Sequence, residues 1–317
     1  MRKLKLKNKI KKYLILGLIG IIILTGGIIW IKVAIYHHSD TYKLLEVGYE
    51  KKEITLFKEK LNDEQIEMLI TKDYDYNVYK ILNEKYFISK NYERYLEYSK
   101  ANPTTSLEDV IAIVNVNADH DWYNEDCIKS TDTSKGILML VNKFNKLDSN
   151  YVPSNLESVS LTYAYDDNEL AEITINAYIE MAKAAKTEGL TLIAASSYRS
   201  YEDQETLYNR YVYNYGIEDA DSKSARPGHS EHQTGLAIDI LTYNTTTTNF
   251  SSTPESIWLE ENSYKYGFIL RYPENKTYLT GYAYEAWHYR YVGIEAATVI
   301  HDEDITFDEY YAYYIAK

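Results

Sequence analysis

The sequence predicts an α+β domain at its C-terminal end, carried behind an apolar N-terminal helix and a mostly helical middle. Three observations predict this. Residues 14–31 read LILGLIGIIILTGGIIWI and hold no charge. Residues 40–135 are charge-rich, with apolar residues at helical spacing. From Gly136 the texture changes to helix-period segments mixed with short, separated apolar runs, which is the pattern of an α+β domain.

The eighteen uncharged residues Leu14 to Ile31 are near the lower limit for spanning a bilayer. Seven basic residues precede them, Arg2 to Lys12, and the positive-inside rule keeps that end in the cytoplasm. A cleaved signal peptide is the rival reading. Its apolar core is usually shorter, and no small-x-small site follows here, because the segment runs on through Trp30, Ile31 and Lys32. The expectation is a basic cytoplasmic tail over 1–12, a single membrane anchor over 13–36, and the rest of the chain outside the cell. A lack of disulfides there suits a bacterial surface, of the Gram-positive type.

Residues 37–135 read as a helical spacer or small module, with apolar positions around Ile66, Leu69 and Ile70 and again near Ile81, Tyr86 and Tyr92. Asn102 to Ser106 is a turn-rich break. Nothing in the stretch carries recognisable chemistry. Residues 136–317 form the domain of interest. Ile137 to Val141 is a short apolar run; Glu169 to Lys186 reads as a helix stopped by Gly189; Leu190 to Ala195 is a buried-strand candidate. Ser200 and Asp203 resemble a capping box that opens a helix closed by Gly216. A loop over 221–234 leads to a strand, Leu236 to Leu241. Thr253-Pro254 starts a helix that runs to Gly267, Trp287 to Val292 alternates as a strand, and a last helix begins near Glu295.

At 317 residues the chain is long enough for about two domains. Few Gly and Pro and 45% hydrophobic residues exclude collagen-like and wholly disordered readings. A single cysteine, Cys127, excludes an intrachain disulfide and a multi-Cys zinc site. The net charge of −13 hides a segregation: eight of the 34 Lys+Arg lie within residues 1–36, which leaves 26 against 47 Asp+Glu, a net of −21, in the remainder. So acidic a body repels phosphate backbones, and no nucleic-acid partner is expected.

The chemistry lies in Ser230-Glu231-His232-Gln233-Thr234-Gly235-Leu236-Ala237-Ile238-Asp239 and in Glu285-Ala286-Trp287-His288. Imidazole and carboxylate suit a borderline cation such as zinc, and three protein ligands with one open position is its catalytic arrangement. His232, Asp239 and His288 supply three. Small Gly235 and Ala237 let the backbone turn so that the first two, seven residues apart, converge. Glu285, near the metal but not on it, can move a proton from water to a leaving amine. His288, Arg290 and Val292 share one strand face and Glu285 has the opposite parity, so Glu285 must sit on a turn before the strand. His229, three residues before His232, is a competing ligand that the motif disfavours.

Together these motifs resemble the VanY-type zinc D-alanyl-D-alanine carboxypeptidases of the peptidase M15 family. Supporting fragments over ~136–317 are Leu140-Val141-Asn142-Lys143, Tyr151-Val152-Pro153, Ser197-Tyr198-Arg199-Ser200, Arg226-Pro227-Gly228 and Trp287 to Gly293. The resemblance implies a compact domain with a central antiparallel sheet, shared with hedgehog signalling domains. It implies one Zn2+ held by His232, Asp239 and His288, with Glu285 as general base and acid. It also implies that Arg199 points into the cleft, where its guanidinium can grip a terminal carboxylate or the oxyanion. Gln204 and Ser230 are candidates for substrate contact. The expected function is a membrane-anchored metallopeptidase that removes the terminal D-alanine of peptidoglycan stem peptides. L,D-carboxypeptidase or endopeptidase specificity, a non-catalytic zinc-bearing wall-binding module, and an adhesin working through residues 40–135 are the alternatives.

Overall fold

The computed structural model describes residues 2–316 and divides into two compact units, Met1–Leu96 and Glu97–Lys317. In the first, helix α1 (Arg2–His37) contains a candidate span, Lys9–His37 (29 residues), whose most apolar 18-residue window has a mean hydropathy of 2.7. By length and composition that stretch can cross a membrane. Four short helices follow: α2 (Asp40–Val47), α3 (Lys51–Lys60), α4 (Asp63–Thr71) and α5 (Tyr76–Asn83). Helix α2 packs on α4, and α3 on α5.

This pairing reflects a repeat in the sequence. Leu44 and Leu69, Tyr49 and Tyr74, and Glu50 and Asp75 are each 25 residues apart. Glu50 and Asp75 are the N-caps of α3 and α5, and the rings of Tyr49 and Tyr74 lie 4.9 Å apart. Two copies of one helical hairpin stack and bury each other's apolar faces, as repeat units must.

Helix α6 (Tyr92–Ala101) spans the boundary, and the break at 102–106 separates it from α7 (Leu107–Asn115), which Ser106 caps. Within the second unit, β1 (Lys129–Ser130) pairs in parallel with β2 (Asn145–Lys146), and β3 (Leu156–Ser158) pairs antiparallel with β4 (Glu169–Ala171). Helix α8 (Glu172–Thr187) lies against the main sheet, which is built of β5 (Ile193–Ser196), β6 (Ala237–Leu241), β7 (Phe268–Leu270) and β8 (His288–Tyr291). Its order is β5-β6-β8-β7, antiparallel throughout. Helices α9 (Tyr201–Tyr215), α10 (Ile217–Lys223), α11 (Pro254–Asn262), α12 (Thr277–Thr280), α13 (Ile294–Asp302) and α14 (Phe307–Tyr310) complete the unit. The chain is α+β, as expected.

Period-two alternation divides the sheet. Ile238, Ile240, Tyr289 and Tyr291 join Tyr178, Met181, Ala182 and Ala185 of α8 in the largest core cluster. Asp239, His288 and Arg290 therefore emerge on the opposite face, and that face carries the site.

Three element boundaries differ from the sequence reading by three residues or more. The helix expected from Glu169 begins at Glu172, because Glu169–Ala171 is captured as a strand by β3. The strand expected from Leu190 begins at Ile193. The helix expected to reach Gly267 ends at Asn262 and continues as a 3₁₀ turn, Ser263–Tyr266. Gly267 closes that turn at φ +83°, where a Cβ would lie 2.9 Å from the backbone of Gly293. Only glycine fits.

Candidate metal centre

The site forms where two adjacent strands meet a turn. Asp239 of β6 and His288 of β8 are register partners, and Asp239 Oδ1 lies 3.0 Å from His288 Nδ1. His232 sits in the 3₁₀ turn Glu231–Thr234 that leads into β6. That turn ends at Gly235, φ +67°, where a Cβ would stand 3.0 Å from Leu156 Cδ2 and 3.1 Å from Ala171 N. The reversal brings His232 Nε2 to 3.5 Å from Asp239 Oδ1.

The three donor atoms lie within 4.8 Å of one another. A tetrahedral ion with bonds near 2.0–2.1 Å would set neighbouring donors about 3.3 Å apart, so the two short separations suit it. His232 Nδ1 donates to Ser197 O at 2.6 Å, which leaves Nε2 with the lone pair a metal needs. The set of two imidazoles and one carboxylate fits zinc.

Glu285 stands three residues before β8, in a turn closed by the bond from His288 N to Glu285 O at 3.1 Å. Its Oε2 is 3.8 Å from His288 Nδ1. Arg199 follows β5; its Nη1 donates to Gln204 Oε1 at 2.9 Å and its Nη2 to Ser196 Oγ at 2.8 Å. Gln204 Nε2 donates to Ala225 O at 2.7 Å and to Ser224 Oγ at 3.2 Å. Its amide thus bridges Arg199 to the loop before the motif. Arg199, Gln204, Ser230, His232, Asp239, Glu285 and His288 all line one cleft of about 200 Å³. His229 lies outside the three-donor cluster, its Nδ1 donating to Asn142 O at 2.8 Å.

Burial sets the electrostatics. Glu285 is pushed up to about 7 by desolvation, with Asp239 adding to the rise and His288 opposing it. Burial alone would also raise Asp239, but the imidazoles of His232 and His288 outweigh it and hold Asp239 below the usual carboxylate range. Burial lowers His288, yet the bond to Asp239 and the carboxylate of Glu231 facing it outweigh that and bring it up to about 9. His232 is lowered, chiefly by burial and then by Arg199.

The family model described as D-alanyl-D-alanine carboxypeptidase, VanY, matches residues 167–294. YodJ of Bacillus subtilis (strain 168) is 41% identical over 199 residues, which cover 61% of this chain and 73% of YodJ. The D-alanyl-D-alanine carboxypeptidase of Enterococcus faecalis (strain ATCC 700802 / V583) is 39% identical over 191 residues, 56% of this chain and 67% of that protein. The chain belongs to the VanY family.

As a VanY-family carboxypeptidase it is a hydrolase with the fold of its relatives. The solved structure of the LdcB LD-carboxypeptidase, described as revealing the molecular basis of peptidoglycan recognition, superposes with a TM-score of 0.56. It is 40% identical, with 61% of this chain and 94% of that chain covered.

Around the VanY motif lie residues that sequence reasoning passed over. Glu231 is fully buried and receives Arg271 Nε at 2.8 Å and Arg290 Nη1 at 2.9 Å on Oε1. Arg271 Nη1 in turn meets Asp308 Oδ2 at 2.6 Å. Tyr272 lays its ring 5.0 Å from that of His288, and Trp287 lines the cleft. One signal was present: Arg271 directly follows the apolar run Phe268-Ile269-Leu270, a charge at the end of a buried strand. Nothing in the sequence named its partners, since Asp308 is 37 residues on.

Proposed function

We propose that the chain is a membrane-anchored zinc carboxypeptidase that removes the C-terminal D-alanine from peptidoglycan stem peptides. The observation that carries the reading is the cleft where three metal-type donors face a fourth, unbound carboxylate raised to about 7 by burial. His232, Asp239 and His288 would hold the ion. Zinc there acidifies water and polarises a carbonyl.

Glu285 takes the proton of the attacking water and delivers it to the departing amine as the C–N bond breaks and the new C–O bond forms. A group near 7 is matched to both halves of that task. Arg199, held by Gln204 and Ser196, presents its remaining donors to the terminal carboxylate or the oxyanion. Ser230, at the cleft wall, contacts the peptide backbone. Gln204 acts through Arg199, because its own amide is already bonded on both ends.

The family description and the E. faecalis relative support a D-Ala-D-Ala substrate, and LdcB supports a second reading, cleavage after an L-centre. Zinc-loaded full-length protein in detergent is given a pentapeptide ending in D-Ala-D-Ala and a tetrapeptide ending in L-Lys-D-Ala, with Glu285→Ala as control. Loss of one alanine from the pentapeptide alone supports the D,D reading, and trimming of the tetrapeptide supports the L,D reading. If zinc is bound and neither peptide is cut, the carboxypeptidase reading fails. The basic residues before the apolar stretch support a cytoplasmic N-terminus and an outward-facing catalytic unit.

A further inference from the structure

His288 has two ends. Its Nδ1 faces Asp239 Oδ1 at 3.0 Å, on the side of the candidate metal position. Its Nε2 has no hydrogen-bond partner and faces Glu231 Oε2 at 3.6 Å. Glu231 Oε2 is likewise buried without a partner. Two unpaired polar atoms in a dry interior, aimed at each other and about half an ångström from a full hydrogen bond, form a pair by default.

The other half of Glu231 is immobile. Oε1 accepts from Arg271 and Arg290 at once, and Arg290 Nη2 is itself anchored on Ile137 O at 3.0 Å and Met139 O at 2.8 Å. Two guanidiniums on one oxygen fix the plane of the carboxylate and leave the second oxygen to point at the imidazole.

A neutral imidazole carries one N–H and one lone pair, so whichever nitrogen donates determines which can bind metal. His232 donates from Nδ1 to Ser197 O and offers Nε2. His288 must do the reverse, and only an acceptor at Nε2 enforces that. We propose that Glu231 is the positioning residue that fixes His288 in the tautomer offering Nδ1 to the metal. The proposal rests on the zinc reading above.

Glu231→Gln is the informative change. The arginines demand an oxygen at Oε1, so the amide turns its NH2 towards His288. An NH2 there calls for the lone pair on Nε2, which puts the proton on Nδ1, where the metal should bind. Asp308→Asn is the control: it breaks the neighbouring buried pair with Arg271, while Arg290 still holds Glu231.

Zinc affinity is measured by chelator competition on full-length protein, alongside melting temperature and the visible spectrum of the Co(II)-substituted protein. The expected result for Glu231→Gln is an affinity about 10- to 100-fold weaker and an altered Co(II) spectrum. Asp308→Asn should lower the melting temperature yet keep zinc affinity within about threefold. Should Glu231→Gln not fold, Glu231→Asp keeps the charge but withdraws the carboxylate, and its affinity should also fall. Wild-type affinity in the folded Gln or Asp variant overturns the proposal, and so does an equal loss in Asp308→Asn. If the wild type itself takes up no zinc, all the proteins fail alike and the metal reading falls first.

Discussion

Asp239 and His288 face each other across two hydrogen-bonded antiparallel strands, with Oδ1 and Nδ1 3.0 Å apart. They are 49 residues apart in the chain and were brought opposite by register alone. A one-residue slip of β8 would turn His288 into the core and Tyr289 out to the cleft. This pairing of carboxylate and imidazole is therefore as secure as the sheet.

That pair makes metal uptake depend on pH. In the metal-free site His288 is held up to about 9, burial being outweighed by Asp239 and Glu231, so near neutrality its imidazole is protonated. A metal needs the neutral ring, and the proton must leave. Zinc affinity should rise by about tenfold per pH unit between pH 7 and 9. Chelator competition across that range measures it. A flat curve would show that His288 enters the site already neutral.

Glu285 pairs function with a stability cost. Its carboxyl is raised from an unfolded value near 4.5 to about 7 by burial, so the folded state favours the protonated form. Stability is then lost as pH climbs from about 4.5 through 7. Glu285→Gln should raise the melting temperature of the metal-free protein at pH 8 by about 5 °C, with little change at pH 4.5. The same variant should retain zinc and lose about 10²- to 10⁴-fold in kcat. Calorimetry at the two pH values and product release under saturating substrate test both halves.

Arg199 and Gln204 divide one task. Arg199→Ala should lower kcat/KM by about 10²-fold or more while leaving zinc affinity unchanged. Gln204→Ala strips partners from Arg199, Ser224 and Ala225 O at once, costing about 1–3 kcal/mol of stability together with a smaller loss in kcat/KM. Denaturant titration and steady-state kinetics separate the two. Equal efficiency in Arg199→Ala would remove its proposed role.

Gly235 is the turn between His232 and Asp239, the first two proposed ligands. Gly235→Ala places a methyl group 3.0 Å from Leu156 Cδ2 on a backbone at φ +67°. The expected cost is about 2 kcal/mol or more, with weakened zinc binding, because His232 and Asp239 are spaced by this turn. Unchanged melting and unchanged affinity would show that the turn is free to relax.

Orientation in the membrane is open to labelling in intact cells. In a Cys127→Ser background, Lys52→Cys should react with a membrane-impermeant maleimide, since Lys52 is 63% exposed in its side chain. Lys7→Cys, before the apolar stretch, should not. The reverse pattern would invert the topology.

Some of this molecule is local and was legible residue by residue. The apolar stretch, the helical texture, the break at 102–106, the cap at Ser200 and the stop at Gly216 depend on neighbours a few positions away. So does the hinge at Gly235. The helical-hairpin repeat was equally present in the sequence, but Glu50 against Asp75 and Gly48 against Asp73 differ enough to hide it until the helices were seen to stack.

The sequence by itself singled out His232, Asp239, Glu285 and His288, because residue types suited to a metal and a proton shuttle stand there in ordered motifs, and the fold brings all four to one cleft. Tertiary structure decided the rest. It buried Glu231 between two arginines, aimed its second oxygen at the far nitrogen of His288, and bonded the amide of Gln204 to Arg199. Burial and hydrogen-bond geometry are properties of contacts between distant segments. No local pattern encodes which arginine will reach which carboxylate once the strands have found their register.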